Sequence, residues 1–385
     1  MDEGIEDFSL LMSPDGLLTG LALRISATAR RTPSEIARAV REVVAEDISR
    51  RMNIPQKKIW ELPGSGREAR DVLFELLDRD DVFHSGPGQM AIGGPLLRVL
   101  DRLDATLRAL VTERFAAVEY RYPTLLPTSV VERCGYFDSF PHFVMFVTRL
   151  HSDIDSYRRF ARLKQEGAEV SDYAVGLAAP ADHCLPPTMC FHTYHQFAGR
   201  RFAPGKGTVI TSRGASFRHE SRYAHGLERL WDFTIRETVF FGDRTFVRNT
   251  RQRLMEEVRE LLACLGLQAH LEVANDPFFL GADRGDQLAV QALAETKYEL
   301  RMPIGDGRTV AVGSFNYADD FFTRRFDLAF ADTSTLRSGC MGFGLERLAF
   351  AFLCQYGLDE AGWPPQITGT LGPAPLYSSR LGGLA

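Results

Sequence analysis

The stretch SFRHESRYAHGLERLWDFTIRETVFFG, residues 216–242, constrains the fold of this chain more than any other. Phe217-Arg218-His219-Glu220 is followed by a short polar loop and then by Arg229-x3-Phe233-x3-Glu237. If both flanks are strands, their side chains alternate between two faces. Arg218 and Glu220 then share one face of the first strand, and Arg229, Phe233 and Glu237 one face of the second. Such a hairpin gathers two arginines, two glutamates and a phenylalanine on one surface. Taken alone, the same pattern also describes a solvated charged face with Phe233 turned into the core.

A second segment, SGCMGFGLERLAFAF, covers residues 338–352. Its glycines permit close backbone approach ahead of a helix, and Arg347 falls in the first turn of that helix. The helix dipole favours acidic groups there, so an arginine asks for a phosphate or an adenine nearby, or for a salt bridge to Glu346. Upstream, Leu96, Leu97, Leu100, Leu103, Leu107 and Leu110 recur at helical spacing from Pro95. A strand through Phe115, Val118 and Tyr120, ended by Pro123, follows. Helices are predicted over about 150–166 and 249–265 and in LERLAFAFLCQYG, with antiparallel strands over 186–260 and in KYELRMPI and RTVAVGSFNY. That order is α+β rather than alternating βα units, and no P-loop or dinucleotide fingerprint occurs. Thr32-Pro33-Ser34-Glu35 opens a further helix through Ile36, Val40, Val43, Val44 and Ile48. With Leu62-Pro63-Gly64-Ser65-Gly66 as linker, residues 1–65 are expected to form a small helical appendage and 66–385 the main domain.

Together the two segments resemble motifs 2 and 3 of the class II aminoacyl-tRNA synthetases, FRxE–loop–RxxxFxxxE and GxGxER. The leucine-rich helix, its strand and Pro123 resemble motif 1. The resemblance implies a six-stranded antiparallel sheet flanked by helices, and a homodimer through the 95–123 region. It implies that Arg218 holds the α-phosphate of ATP, that Glu220 binds the adenine amino group, and that Phe233 and Arg347 sandwich the purine. A guanidinium suits a phosphate, and a ring face and a planar cation suit a base. Arg229, Leu230, Ala311 and Ser314 complete the implied ATP site, with Mg²⁺ accompanying the nucleotide. Arg218 and Glu237 are the implied catalytic residues, and Glu237 and Asn316 the amino-acid contacts.

Cys190 lies in PPTMCFHTYHQF, Glu237 closes motif 2, and Cys340 stands two residues before the Gly-Phe-Gly of motif 3. Two thiolates and a carboxylate suit Zn²⁺ and leave a fourth position open. The set is similar to that of the atypical zinc-dependent seryl-tRNA synthetases of methanogenic archaea, in which the metal recognises the amino acid's α-amino group. His192 and His195 are competing ligands, because Cys190-x-His192 would share a strand face. One departure stands out. Where seryl enzymes carry a glutamate, alignment through Asp320, Phe321, Arg324 and Arg325 places Ala311, which puts one Mg²⁺ ligand in question.

The residues ahead of motif 1 show neither heptads nor a basic run. The whole chain carries 45 basic against 50 acidic residues, net −5, a poor balance for a surface that must track phosphates. CGYFDSFPHFVMF, MCFHTYHQF and VAVGSFNY resemble the amino acid:[carrier protein] ligases, truncated homologues of the atypical seryl enzymes. These activate a small amino acid with ATP and pass it to the phosphopantetheine thiol of a carrier protein. Glycine or alanine is the expected substrate. Arg158, Arg159, Arg162 and Lys164, on one predicted helix, are the expected dock for an acidic carrier. A tRNA ligase and a non-catalytic paralogue are the alternatives. The acidic N-terminus and the lack of a long apolar run lead to an expected cytoplasmic location, without membrane contact.

Overall fold

The computed structural model describes residues 5–13, 18–27, 31–43, 57–220, 226–274 and 296–369. The chain forms two compact units, Met1–Pro55 and Gln56–Ala385. In the first, an antiparallel hairpin of β1 (Ile5–Met12) and β2 (Leu18–Ile25) precedes helix α1 (Pro33–Val43). The expected helical appendage is therefore only partly helical. The apolar alternation of Leu21, Leu23 and Ile25 is the strand signal that the helix pattern further on overshadowed. Helix α1 opens with a capping box: the Thr32 N–H donates to Glu35 Oε2 at 2.8 Å, and the Glu35 N–H donates back to Thr32 Oγ1 at 3.4 Å. Val44 and Ile48, expected to continue the helix, lie outside the described residues.

The second unit begins ahead of the expected boundary at 65, because β3 (Lys58–Pro63) pairs into the main sheet and Trp60 packs on its core. Helix α2 (Leu73–Asp78) and the hairpin β4 (Val82–Gly86) and β5 (Gln89–Ile92) lead into helix α3 (Gly94–Phe115). Pro95 sits in the first turn of α3, and Ala116 ends it in the left-handed region at φ 50°. Then come β6 (Val118–Tyr120), α4 (Ile154–Gln165), α5 (Cys190–Gln196), β7 (Thr208–Phe217) and β8 (Asp232–Gly242). Helix α6 (Arg244–Cys264), β9 (Gln268–Val273), β10 (Lys297–Gly305), β11 (Arg308–Asp319), β12 (Arg337–Gly344) and α7 (Leu345–Tyr356) complete the elements that frame the site. Helix α6 starts earlier than expected because Asp243 caps it, accepting from the Phe246 N–H at 2.7 Å.

The main sheet has eight strands in the order β3-β9-β10-β11-β12-β8-β7-β6. The expected six antiparallel strands are its centre, β9 to β7. Two edge strands were not anticipated: β3, antiparallel, and β6, which pairs parallel to β7. Helices α3, α6 and α7 supply the core on one face, with Leu96, Leu103, Leu254, Val258, Leu348 and Phe352 all buried. A second, aromatic core of Phe191, Tyr194, Phe241, Phe322 and Phe326 lies on the other side, where Val239 and Cys340 reach it. Residues 121–207 build most of its covering layer.

One ion network joins helix and sheet. Arg236 of β8 is 2 % exposed, and its Nε and Nη2 donate to Asp104 of α3 at 2.7 and 2.9 Å, while Nη1 donates to Glu119 of β6 at 2.8 Å. Removing one member strands a charge in a poorly hydrated site. Asp104→Ala is expected to lower unfolding free energy by about 3–5 kcal/mol. The apolar pair Asp104→Leu with Arg236→Met should lose less. Urea midpoints at constant slope are the measurement.

Candidate active site

Strand β7 stops at Phe217, so Arg218 and Glu220 do not alternate on a strand as expected. They lie just beyond its end, in backbone pinned from three sides. The Phe217 N–H donates to Pro186 O at 2.8 Å, the Arg218 N–H to Trp231 O at 2.9 Å and the His219 N–H to Phe143 O at 2.9 Å. Side chains rather than strand pitch then bring the group together. Arg218 Nε donates to Pro187 O at 3.0 Å, and its guanidinium lies 5.5 Å from the centre of the Phe233 ring. Arg229 also falls outside β8, after the single turn Gly226–Glu228, and donates from Nη1 to Glu220 Oε2 at 2.9 Å. Leu230 is 6 % exposed, packed in the core of the helical face.

Arg347 is in the first turn of α7, as the sequence predicts, but Glu346 is not its partner. Arg347 Nη1 donates to the Ala311 carbonyl at 3.3 Å. Burial first, then the positive charges of Arg218 and Arg229, bring its pKa down to about 10. Both oxygens of Glu346 instead accept from the Thr234 N–H at 2.9 Å, which fastens the start of α7 to β8. Arg218, Glu220, Arg229, Phe233 and Arg347 thus converge around the open ends of β7 and β8.

The sheet register assembles the second cluster. Glu237 of β8 faces Gly342 of β12, which faces Ser314 of β11; one step on, Cys340 faces Asn316. Facing residues on neighbouring strands point to the same side of the sheet. Glycine at 342 matters, because a Cβ there would lie 3.2 Å from Glu237 Oε2. Cys190 comes from the first position of α5. A helix there, not the expected strand, separates Cys190 from its neighbours: His192 stacks on Tyr122 with ring centres 5.3 Å apart, and His195 is exposed. The two histidines are thereby placed outside the cluster.

The ligand atoms of Cys190, Glu237 and Cys340 all lie within 4.8 Å of one another, and all three residues are buried. Thr188 Oγ1 donates to Glu237 Oε2 at 3.4 Å and lies 3.7 Å from Cys190 Sγ. Asn316 Nδ2 donates to Cys340 Sγ at 3.4 Å and to Ser314 Oγ at 3.1 Å, while its buried Oδ1 has no partner among the described residues. Burial, then the Cys340 sulfur, holds the Glu237 carboxyl well above the usual carboxylate range. The hydrogen bond with Cys190, then burial, does the same to the Cys340 thiol. Two sulfurs and one carboxylate oxygen converging in a dry pocket are costly as anions without a cation and form a good donor set for one. Residue types and convergence both fit zinc with one position left open.

Sequence reading missed Thr188, whose only signal is its place two residues before Cys190. It also missed Met189, buried against the backbone of Gly214: a Cβ at 214 would meet its Cε at 2.5 Å.

No protein-family model matches the chain. It is 30% identical over 320 residues to amino acid--[acyl-carrier-protein] ligase 1 of Bradyrhizobium diazoefficiens, covering 81% of this chain and 94% of that protein. Ligase 2 of the same organism is 33% identical over 280 residues, covering 69% and 80%. The type-2 serine--tRNA ligase of Methanococcus aeolicus is 26% identical over 298 residues, 76% of this chain but only 57% of that longer protein. Among solved structures, M. kandleri SerRS, crystallised with A. aeolicus tRNASec, superposes with a TM-score of 0.74 at 22% identity, covering 95% of this chain and 73% of that one. This last likeness concerns the fold.

Loss of the Glu346 carboxylate would leave the half-buried Thr234 N–H without its acceptor. Glu346→Ala is expected to cost about 1–3 kcal/mol of stability. Glu346→Gln, which keeps an acceptor, should recover most of it in the same urea titration.

Proposed function

Because the chain belongs to the amino acid--[acyl-carrier-protein] ligases, we propose that it activates a small amino acid with ATP and passes it to the phosphopantetheine thiol of a carrier protein. One observation carries the reading. Glu237 of the buried Cys190, Glu237 and Cys340 set shares strand β8 with Phe233 of the cluster that also holds Arg218 and Arg347, so an amino group and a nucleotide can be held side by side.

Two transfers make up the reaction. In the first, a carboxylate oxygen of the amino acid attacks the α-phosphorus of ATP, and the P–O bond to the β-phosphate breaks to release pyrophosphate. In the second, the carrier thiol gives up its proton, its sulfur bonds to the acyl carbon, and AMP leaves. Phe233 and Arg347 hold the adenine between them, and Glu220 accepts from its amino group. Arg218, with Nε held by Pro187 O, directs its Nη nitrogens to the α-phosphate. These groups act by position and charge, and neither step calls on a strong base. Ser314 lies beside the phosphates, which arrive with Mg²⁺, while Ala311 offers only its carbonyl to Arg347.

Zinc held by Cys190, Glu237 and Cys340 would supply an electrophilic site for the free amino group of the substrate. Asn316, with Oδ1 unpaired beside Cys340, is placed to accept from that group. Glycine or alanine is the proposed amino acid, since the Thr188 hydroxyl already reaches Glu237 and Met189 fills the space over Gly214. Discrimination by a single methyl is worth only about 1–3 kcal/mol.

Helix α4 is the proposed carrier dock. None of its residues is buried, and it carries Arg158, Arg159, Arg162 and Lys164 along a single helix. Two copies are proposed to pair through 95–123. There β6 is a sheet edge, and Leu97, Val118 and Tyr120 are 39%, 52% and 37% exposed. Among the described residues no helix is long and apolar enough to cross a membrane; cytoplasmic ATP is the proposed co-substrate.

Elemental analysis of the purified protein is expected to give about one zinc per chain, as a site with three protein ligands would. Cys190→Ser or Cys340→Ser should lower it. Full zinc in both variants would move the metal elsewhere.

The acceptor is tested directly. Enzyme, ATP and labelled glycine or alanine are incubated with phosphopantetheinylated carrier protein or with total tRNA. Label is expected on the carrier and should be released by hydroxylamine, as a thioester is. Charging of tRNA with no carrier labelling would restore the tRNA-ligase alternative. No amino-acid-dependent ATP–pyrophosphate exchange at all would favour a non-catalytic paralogue.

A further inference from the structure

Arg308 opens β11 and holds two separate segments. Its Nη2 donates to Asp71 Oδ2 at 2.7 Å, and its Nη1 donates to Glu228 Oε1. The other oxygen of Asp71 accepts from the Leu73 N–H at 2.9 Å, so the same carboxylate also fixes the entry to α2. Two close backbone approaches reinforce the arrangement. A Cβ at Gly305, at the turn between β10 and β11, would meet the Asp71 nitrogen at 2.7 Å, and one at Gly226 would meet Leu73 Cδ2 at 2.4 Å. Glu228 is the last residue of the turn Gly226–Glu228, and the next residue, Arg229, reaches Glu220. The tether therefore ends one peptide bond from the nucleotide cluster.

We propose that Arg308 is a positioning residue: by joining Asp71 to Glu228 it sets the turn that presents Arg229 and Glu220 to the nucleotide. The effect on ATP rests on the ligase reading above; the effect on the turn does not. An exposed ion pair alone contributes little. Here the side chains of Asp71 and Glu228 are only 30% and 27% exposed, and one guanidinium spans both carboxylates. The contact fixes geometry rather than overall stability. Leu227, buried in the core beside it, anchors the turn's middle but leaves the direction of Glu228 and Arg229 to the ion pairs.

Two measurements on the full-length protein test this. Hydrogen exchange is followed by mass spectrometry over residues 226–231 in the wild type, Arg308→Ala and Arg308→Lys, without nucleotide. ATP–pyrophosphate exchange then gives KM for ATP and kcat. Arg308→Ala is expected to speed exchange over 226–231 by about tenfold or more, with the sheet peptides unchanged, as loss of a local tether would. It should raise KM for ATP roughly tenfold while kcat changes less than about threefold, the mark of lost binding shared by ground and transition states. Arg308→Lys, which can hold one carboxylate, should fall between. Unchanged exchange over 226–231 overturns the tether, whatever the activity. Faster exchange with an unaltered KM for ATP overturns its role toward the nucleotide. A wild type without ATP–pyrophosphate exchange refutes the ligase reading and the nucleotide role together, and the exchange data still decide the tether.

Discussion

Arg236 and Glu237 are neighbours on one strand and point to opposite sides of the sheet, and the rest of the molecule is arranged around that fact. Arg236 is neutralised by Asp104 and Glu119 on the helical face. Glu237 meets Thr188, Cys190 and Cys340 on the other. A buried guanidinium tolerates only a narrow geometry, since each N–H left without an acceptor is costly. Fixing Arg236 therefore fixes the strand's rotation, and with it the aim of Glu237. The ion network has no place in the chemistry, but it sets the angle from which the chemistry is approached.

The floor of the site is strand, and its walls are not. Glu237, Cys340, Ser314 and Asn316 are held by ladder hydrogen bonds in a fixed register. Arg218, Glu220 and Arg229 stand on backbone just past the strand ends, positioned by contacts from segments distant in sequence, including Phe143, Pro186 and Pro187. Strand-mounted groups are held tightly enough to define a small ligand cluster. Groups beyond the ends can adjust to what they hold. The first turn of α7 lies between these regimes, with Glu346 tied to β8 and Arg347 turned to Ala311.

Much of this was legible in the amino-acid order. Motif spacing located the convergent arginines, Phe233 and the Cys/Glu/Cys set, because residue type and separation both carried information. Geometry was less legible. Strict alternation across FRHE assumed a strand that ends one residue too soon. Cys190 was placed on a strand because CFHTYH is rich in residues that suit one; its setting is a short helix, which is why the two histidines leave the cluster. The hairpin of β1 and β2 has a two-residue period that is easily lost beside the stronger helix signal of Pro33–Val43. The edge strands β3 and β6 are short, and only their tertiary partners define them. The Arg236 network and the Arg308 tether were invisible because ion pairs between residues 80 or more positions apart leave no local pattern.

The parallel edge of the sheet has a consequence for how the molecule is made. Two parallel neighbours cannot be joined by a tight turn, so the chain between β6 and β7 must cross over. It does so with the stretch that covers the second face and carries Cys190, whereas Glu237 and Cys340 belong to the sheet itself. Two members of the cluster are thus in register as soon as the central strands pair, and the third arrives only when the crossover has docked. Anything that binds all three side chains counts finished molecules, and distinguishes them from chains whose sheet is complete but whose cover is not.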